Sequence, residues 1–144
     1  MQVFSFRVEG KPQGKGRPRT AVRGHHATLY TPKKTVAYEK QIAQAARLVF
    51  KGELHAGPVS LRVDIVMPWP AATSKAKLKT TPYATVKPDI DNVIKAVADG
   101  LNGVVWVDDA QIVRLLSTKK RGADGHVKVT VGLMTDEEGM GGDG

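Results

Sequence analysis

Four aspartates and a lysine occur at spacings that could do chemistry. Asp89, Asp91 and Lys95 fall in Lys87-Pro88-Asp89-Ile90-Asp91-Asn92-Val93-Ile94-Lys95, and Asp108-Asp109 follows. Pro88 biases Lys87 away from helical dihedrals, so a helix can begin only after it. Asp89 is then the N-cap or a first-turn residue, where free N–H groups and the helix dipole stabilise a carboxylate. Asp91 and Lys95, four apart, share a face beside the apolar stripe begun by Ile90, so Asp89, Asp91 and Lys95 can converge at one helix start. The simplest account is that Asp89 caps while Asp91 and Lys95 form a surface ion pair worth ~0.3–0.5 kcal/mol. The second acidic pair weighs against it. Asp108-Asp109 lies between Val104-Val105-Trp106-Val107 and another apolar stretch, and burying carboxylates there is costly unless they are paired or hold a cation. Two or three such carboxylates form an oxygen-rich site of the type that takes Mg²⁺ or Mn²⁺, with waters left for a phosphate and a nucleophile.

The charge balance identifies the class of partner. The 144 residues carry 22 Lys and Arg against 14 Asp and Glu, a net +8. The excess is concentrated early: residues 1–50 hold ten Lys and Arg and two acids, residues 101–144 five and seven. Its densest part is Lys11-Pro12-Gln13-Gly14-Lys15-Gly16-Arg17-Pro18-Arg19, which glycine and proline keep from forming a regular helix or central strand. A basic loop at residues 11–24 suits a polyanion, with Lys11, Lys15, Arg17 and Arg19 as phosphate contacts and Lys75, Lys77 and Lys79 as a second set. Together, basic loops and a carboxylate-held metal describe phosphodiester hydrolysis, with Lys95 neutralising charge that builds on the phosphate.

Other chemistries are missing. The chain has no cysteine, which removes disulfides, thiolate nucleophiles and Cys-ligated metals. His25, His26, His55 and His126 show no metal-ligand spacing, and Gly14-Lys15-Gly16 is too short for a P-loop. No small-molecule cofactor is expected. No apolar run approaches the roughly 18–20 residues that span a bilayer, and the N-terminus lacks a signal-peptide core, so a cytoplasmic protein with no membrane partner is expected.

The elements that must position these residues are legible from periodicity. Val3–Val8 alternates as a strand. Thr31-Pro32 opens a helix, Thr31 as N-cap, on which Tyr38, Ile42, Ala45, Ala46 and Val49 recur at helical spacing. Val59–Met67 is the clearest strand, with Val59, Leu61, Val63, Ile65 and Met67 on one face. Ile90, Val93, Ile94, Val97 and Leu101 line a second helix. Ile112–Leu116 and Val127–Val131 are predicted to form a hairpin across the glycines of residues 121–125. Trp106, between valines, is expected in the core; Trp69, between prolines, is as well placed to stack on bases. The fold class is α/β (α+β): one compact domain over residues 1–135, a mixed sheet against two main helices, followed by a disordered acidic glycine-rich tail at 136–144.

The segment KPDIDNVIKAVADGLNGVVWVDDAQIV resembles the signature of the RusA family of Holliday junction resolvases: a K-P-D-x-D-N-x-x-K helix start followed by W-x-D-D-x-Q. Gly14 to Arg19, Tyr30-Thr31-Pro32 and Tyr38-Glu39 resemble its longer phage-type members, so that the likeness runs from Val3 to Leu133. The resemblance implies a RusA-like fold in a homodimeric, Mg²⁺- or Mn²⁺-dependent endodeoxyribonuclease that resolves four-way DNA junctions by paired symmetric nicks in a bacterial cell, from a phage, prophage or bacterial gene. It makes Asp89, Asp91 and Asp109 the metal-binding catalytic carboxylates and Lys95 the essential lysine. Asp108 either joins the metal site or shapes the turn, and Asp99 belongs at most to its outer shell. The apolar residues of the Ile90 helix or of the terminal hairpin would form the subunit interface. The basic loop is longer than in compact bacterial members, which leaves cleavage-site preference and junction selectivity open. The alternative is a non-catalytic basic DNA-binding phage accessory protein whose aspartates only cap and pair. A metal enzyme acting on nucleotide sugars or small phosphates fits worse, because a small substrate does not need a basic excess spread over fifty residues.

Overall fold

The structure, a computed structural model, describes residues 1–75 and 82–136. Lys77, Lys79 and the tail from residue 137 lie outside the described residues. Four strands form one mixed sheet: β1 (Gln2–Glu9), β4 (Val59–Pro68), β5 (Ile112–Gly122) and β6 (His126–Leu133), in the spatial order β1-β6-β4-β5. Two helices, α1 (Lys33–Val49) and α2 (Ile90–Leu101), cover one face. The expected mixed sheet with two helices in one compact domain is what the chain forms.

β4 sits centrally because every second residue is apolar. Val59, Leu61, Val63, Ile65 and Met67 are all buried, meeting Ile42 and Ala46 of α1 and Val93, Val97 and Leu101 of α2 in one core with Val127, Val129 and Val131 of β6. The stripe of α2 proposed above for a subunit interface is therefore consumed inside the subunit. Trp106 is fully buried, its Nε1–H donating to Asn102 Oδ1 at 2.7 Å.

Two expectations are corrected. β5 and β6 are consecutive but do not form a hairpin: β4 lies between them, parallel to β5 and antiparallel to β6. The more apolar strand takes the central place, where both its edges are paired. The short connection crosses the end of β4, where Trp69 N–H donates to Gly122 O at 3.2 Å and the Arg121 guanidinium donates to Pro68 O at 3.1 Å. That guanidinium also stands over the Trp69 ring, 5.2 Å from its centroid. In addition, α1 begins one residue later than expected, with Pro32 as N-cap and no side-chain capping bond, while the Thr35 hydroxyl accepts from Gly16 N–H.

The basic segment is extended from Lys11 to Pro18, and then, unexpectedly for a loop, becomes a two-stranded ribbon, β2 (Arg19–Arg23) and β3 (His26–Tyr30). Gly24 makes the tight turn at φ +61, a conformation open to glycine at the first central position of a two-residue hairpin. Among the described residues no helix is long and apolar enough to cross a membrane.

Candidate active site

The site is built at the start of α2. Asp89 is the N-cap residue, yet its carboxylate makes no capping bond and turns outward to Lys87, with Nζ–Oδ1 at 2.8 Å. The Lys87 hydrogen bond and charge, with help from Lys119, hold the Asp89 carboxyl below the usual carboxylate range. Lys119 of β5 donates from Nζ to Pro88 O at 2.9 Å and also to Val86 O, fixing the chain that enters the helix. Asp91, in the first turn, is exposed and makes no hydrogen bond or ion pair among the described residues.

Lys95 ignores Asp91. Its ammonium lies 3.2 Å from Asp99 on the next turn and 3.3 Å from Asp109, which precedes β5. Asp99 and Asp109 together, by hydrogen bonds and charge, raise the Lys95 pKa above its ordinary value. Asp109 is thereby joined to the helix that carries Asp89 and Asp91.

A short 3₁₀ turn, Asp109–Gln111, sets the direction of Asp109. Asp108 caps it, Oδ2 accepting from Ala110 N–H at 3.1 Å. Gln111 closes the reciprocal half of this capping box: its Oε1 accepts from the N–H groups of Asp108 at 2.9 Å and Val107 at 3.0 Å. Its Nε2 donates to His55 O at 2.7 Å and Gly57 O at 2.9 Å, which pins the turn to the chain before β4. Sequence reasoning gave Gln111 no role, although the Asp-x-x-Gln spacing is a capping-box signal.

From Asp99 the charges continue inward. Lys15 lies 3.1 Å from Asp99 and 2.8 Å from Glu39 of α1, and its side chain is only 22% exposed. Burial works to lower the Lys15 pKa, but hydrogen bonds and charge from Glu39 and Asp99 outweigh it, and the net direction is up. Lys15 thus knits the basic segment to both helices and stands apart from Lys11, Arg17 and Arg19, whose side chains are in water. The backbone reinforces the tie: Lys15 N–H donates to Asn92 O at 2.9 Å, and Gly16 N–H to Thr35 Oγ1 at 2.9 Å. Gly14 passes so close that a Cβ there would lie 2.9 Å from Asn92 Cβ and 3.1 Å from Pro88 Cβ. Arg17, Arg19 and Lys34 line an open groove of about 370 Å³ beside this strap. Lys75 is exposed elsewhere on the chain.

Among the described residues no three His, Cys, Asp or Glu side chains lie together as a ready-made metal cluster. The donor chemistry nevertheless suits a hard divalent cation. Asp91 has no partner among the described residues, and Asp89 and Asp109 are each held by one lysine in partly exposed pairs that are weak in water.

A family model described as "Endodeoxyribonuclease RusA" matches residues 9–132. The chain is also similar to the Bacillus subtilis (strain 168) protein described as "Uncharacterized protein YqaN", 31% identical over 137 residues that cover 91% of this chain and 96% of the relative. With a match spanning the strap, both helices and the strands β4, β5 and β6 almost to its end, the chain belongs to the RusA endodeoxyribonuclease family, nucleases that act on Holliday junctions.

Proposed function

We propose that the protein is a Mg²⁺- or Mn²⁺-dependent endodeoxyribonuclease that resolves four-way DNA junctions by paired symmetric nicks, acting as a homodimer. The observation that carries this assignment is the Lys95–Asp109 contact at 3.3 Å, which joins the turn before β5 to the helix bearing Asp89 and Asp91, the latter without a partner among the described residues. Asp89, Asp91 and Asp109 are the residues that would hold the cation, and Asp108, occupied in capping, lies beside them. A divalent cation supplies Lewis-acid polarisation of the scissile phosphate and an activated water. Lys95, already flanked by two carboxylates, balances the negative charge that grows on the phosphate oxygens. Lys119 keeps the entry to α2 fixed, so that Asp89 and Asp91 meet substrate without reorganisation. Lys11, Arg17, Arg19 and Lys75, with Lys77 and Lys79 outside the described residues, are the proposed phosphate contacts, and Lys15 anchors the strap on which the first three sit.

A substrate with two-fold symmetry is cut twice, which favours a C2 dimer. The outer edge of β5, which no other described strand pairs, suits that pairing. Its C-terminal half is covered, Ala84 N–H donating to Lys119 O at 3.1 Å and Arg121 N–H to Pro82 O at 2.8 Å. Its N-terminal half instead exposes Val113 at 64%, Leu115 at 49% and Leu116 at 53%, an edge that monomeric proteins normally blunt. Antiparallel pairing of two such edges about Leu115 is self-complementary and covers the same apolar residues on both copies.

A synthetic four-way junction incubated with Mg²⁺, Mn²⁺ or EDTA tests the assignment. Paired nicks that need the cation, and that Asp91→Asn abolishes while junction binding is kept, are expected. Cutting in EDTA, or no cutting of any branched DNA, overturns it in favour of a DNA-binding accessory protein.

A further inference from the structure

The β2–β3 ribbon is surplus to the fold. None of its ten residues is buried, and it is exposed on both faces. An isolated two-stranded hairpin is marginal in water, and this one has no layer of its own to cover it.

Its two faces differ in chemistry. The register pairs Arg19 with Tyr30, Ala21 with Thr28 and Arg23 with His26, so one face presents two guanidinium groups, an imidazole and a phenol. The intervening pairs, Thr20 with Leu29 and Val22 with Ala27, make the opposite face apolar. There Val22 is 70% and Leu29 71% exposed.

The ribbon is also rooted at the candidate active site. It grows from the strap that bonds to Asn92 and Thr35, directly beside the start of α2. Five residues per strand give the ribbon a reach of roughly 17 Å from that root. The groove at its base, lined by Arg17, Arg19 and Lys34, continues the cationic track towards that helix.

A linear duplex uses only half of this surface, since its phosphate walls satisfy the cationic face and leave the aliphatic one in water. A branch point offers more. Where arms diverge, the flat apolar face of a base pair loses its stacking neighbour a few ångströms from phosphates of the adjoining arm. Resting on the branched-DNA reading above, we propose that the ribbon is the branch-point reader: Val22, Ala27 and Leu29 cover the unstacked base pair, while Arg19, Arg23 and His26 face the phosphates of the neighbouring arm.

The test uses the full chain in EDTA, so that binding is read without cutting, with a four-way junction carrying 2-aminopurine at the branch and a linear duplex of equal length. For the wild-type chain a change in 2-aminopurine fluorescence and preference for the junction are expected. The double variant Val22→Ser/Leu29→Ser should lose the fluorescence change and lower the ratio of junction to duplex affinity about ten-fold, whereas Val22→Ile/Leu29→Met should restore both. Arg19→Gln/Arg23→Gln should weaken both DNAs and flatten their salt dependence. Circular dichroism confirms that each variant keeps the fold. An unchanged ratio in Val22→Ser/Leu29→Ser overturns the ribbon's role and leaves the nuclease assignment standing if the wild-type chain still cuts junctions. Altered sedimentation of the DNA-free double variant also overturns it, assigning the apolar face to self-association. A wild-type chain with no junction preference and no cutting overturns both.

Discussion

Lys95 does not pair with Asp91, four residues before it, but with Asp109, fourteen residues after it, at 3.3 Å. The contact links a helix to a turn that has no backbone connection to it at that point, and Asp99 at 3.2 Å keeps the ammonium in place. Lys95→Met should lower the single-turnover rate of junction cutting about 10²- to 10³-fold, the size expected when a charge partner of the transition state is removed. Asp109→Asn should match it. Junction affinity measured in EDTA should stay within a small factor of wild type for both, because neither group is a proposed phosphate anchor; an equal loss of affinity would make the contact structural.

Lys15 offers a pH-dependent prediction. Its pKa is raised above the ordinary 10.5 by Glu39 and Asp99. The stabilisation is therefore fully present below pH 10.5 and is lost as pH rises through the folded-state value above it. Lys15→Met, which leaves the mostly buried Glu39 carboxylate without its lysine and Asp99 with Lys95 alone, should destabilise the protein by about 1–3 kcal/mol at pH 7. Urea unfolding should show that difference shrinking above pH 10.5.

Salt dependence checks the proposed DNA surface. Each phosphate neutralised contributes about −0.9 to the slope of log affinity against log salt. Arg17→Gln and Arg19→Gln should each reduce the slope by about one such step, while Lys15→Gln, whose ammonium is already spent on Glu39 and Asp99, should change it less.

The β5 edge predicts the assembly. Leu115→Lys with Leu116→Lys places like charges opposite one another in a self-pairing edge, so sedimentation should show a monomer. On a four-way junction that monomer should give single nicks in place of paired ones. Unaltered sedimentation would place the interface elsewhere.

Much of this molecule was legible before folding. The alternation of Val59 to Met67 specified a buried strand, and the spacing of Val93, Val97 and Leu101, with the partly buried Ile90 and Ile94, specified the inward face of α2. Both signals are local, since side-chain direction follows from strand and helix period alone. Pro88 and Asp89 likewise marked the helix start. Three features were not legible. The strand after Leu116 continues through the polar Ser117-Thr118-Lys119-Lys120-Arg121 because β4 pairs with it, Ser117 Oγ donating to Val63 O at 2.7 Å. The ribbon was hidden by its charge and by Gly24. The placement of β4 between β5 and β6 depends on competition among strands for a central position, which no local pattern records.

The sequence by itself determined which residues were available for chemistry: carboxylates near a helix start, a lysine one turn on, a second acidic pair, and a cationic segment far away in the chain. Only the tertiary structure decided which of them meet. It sent Lys95 to Asp109, turned Lys15 inward to Glu39 and Asp99, and set Asp108 to capping. The reason is range: periodicity and capping act over a few residues, whereas an ion pair is set by where packed elements bring side chains from 14 or 24 residues away.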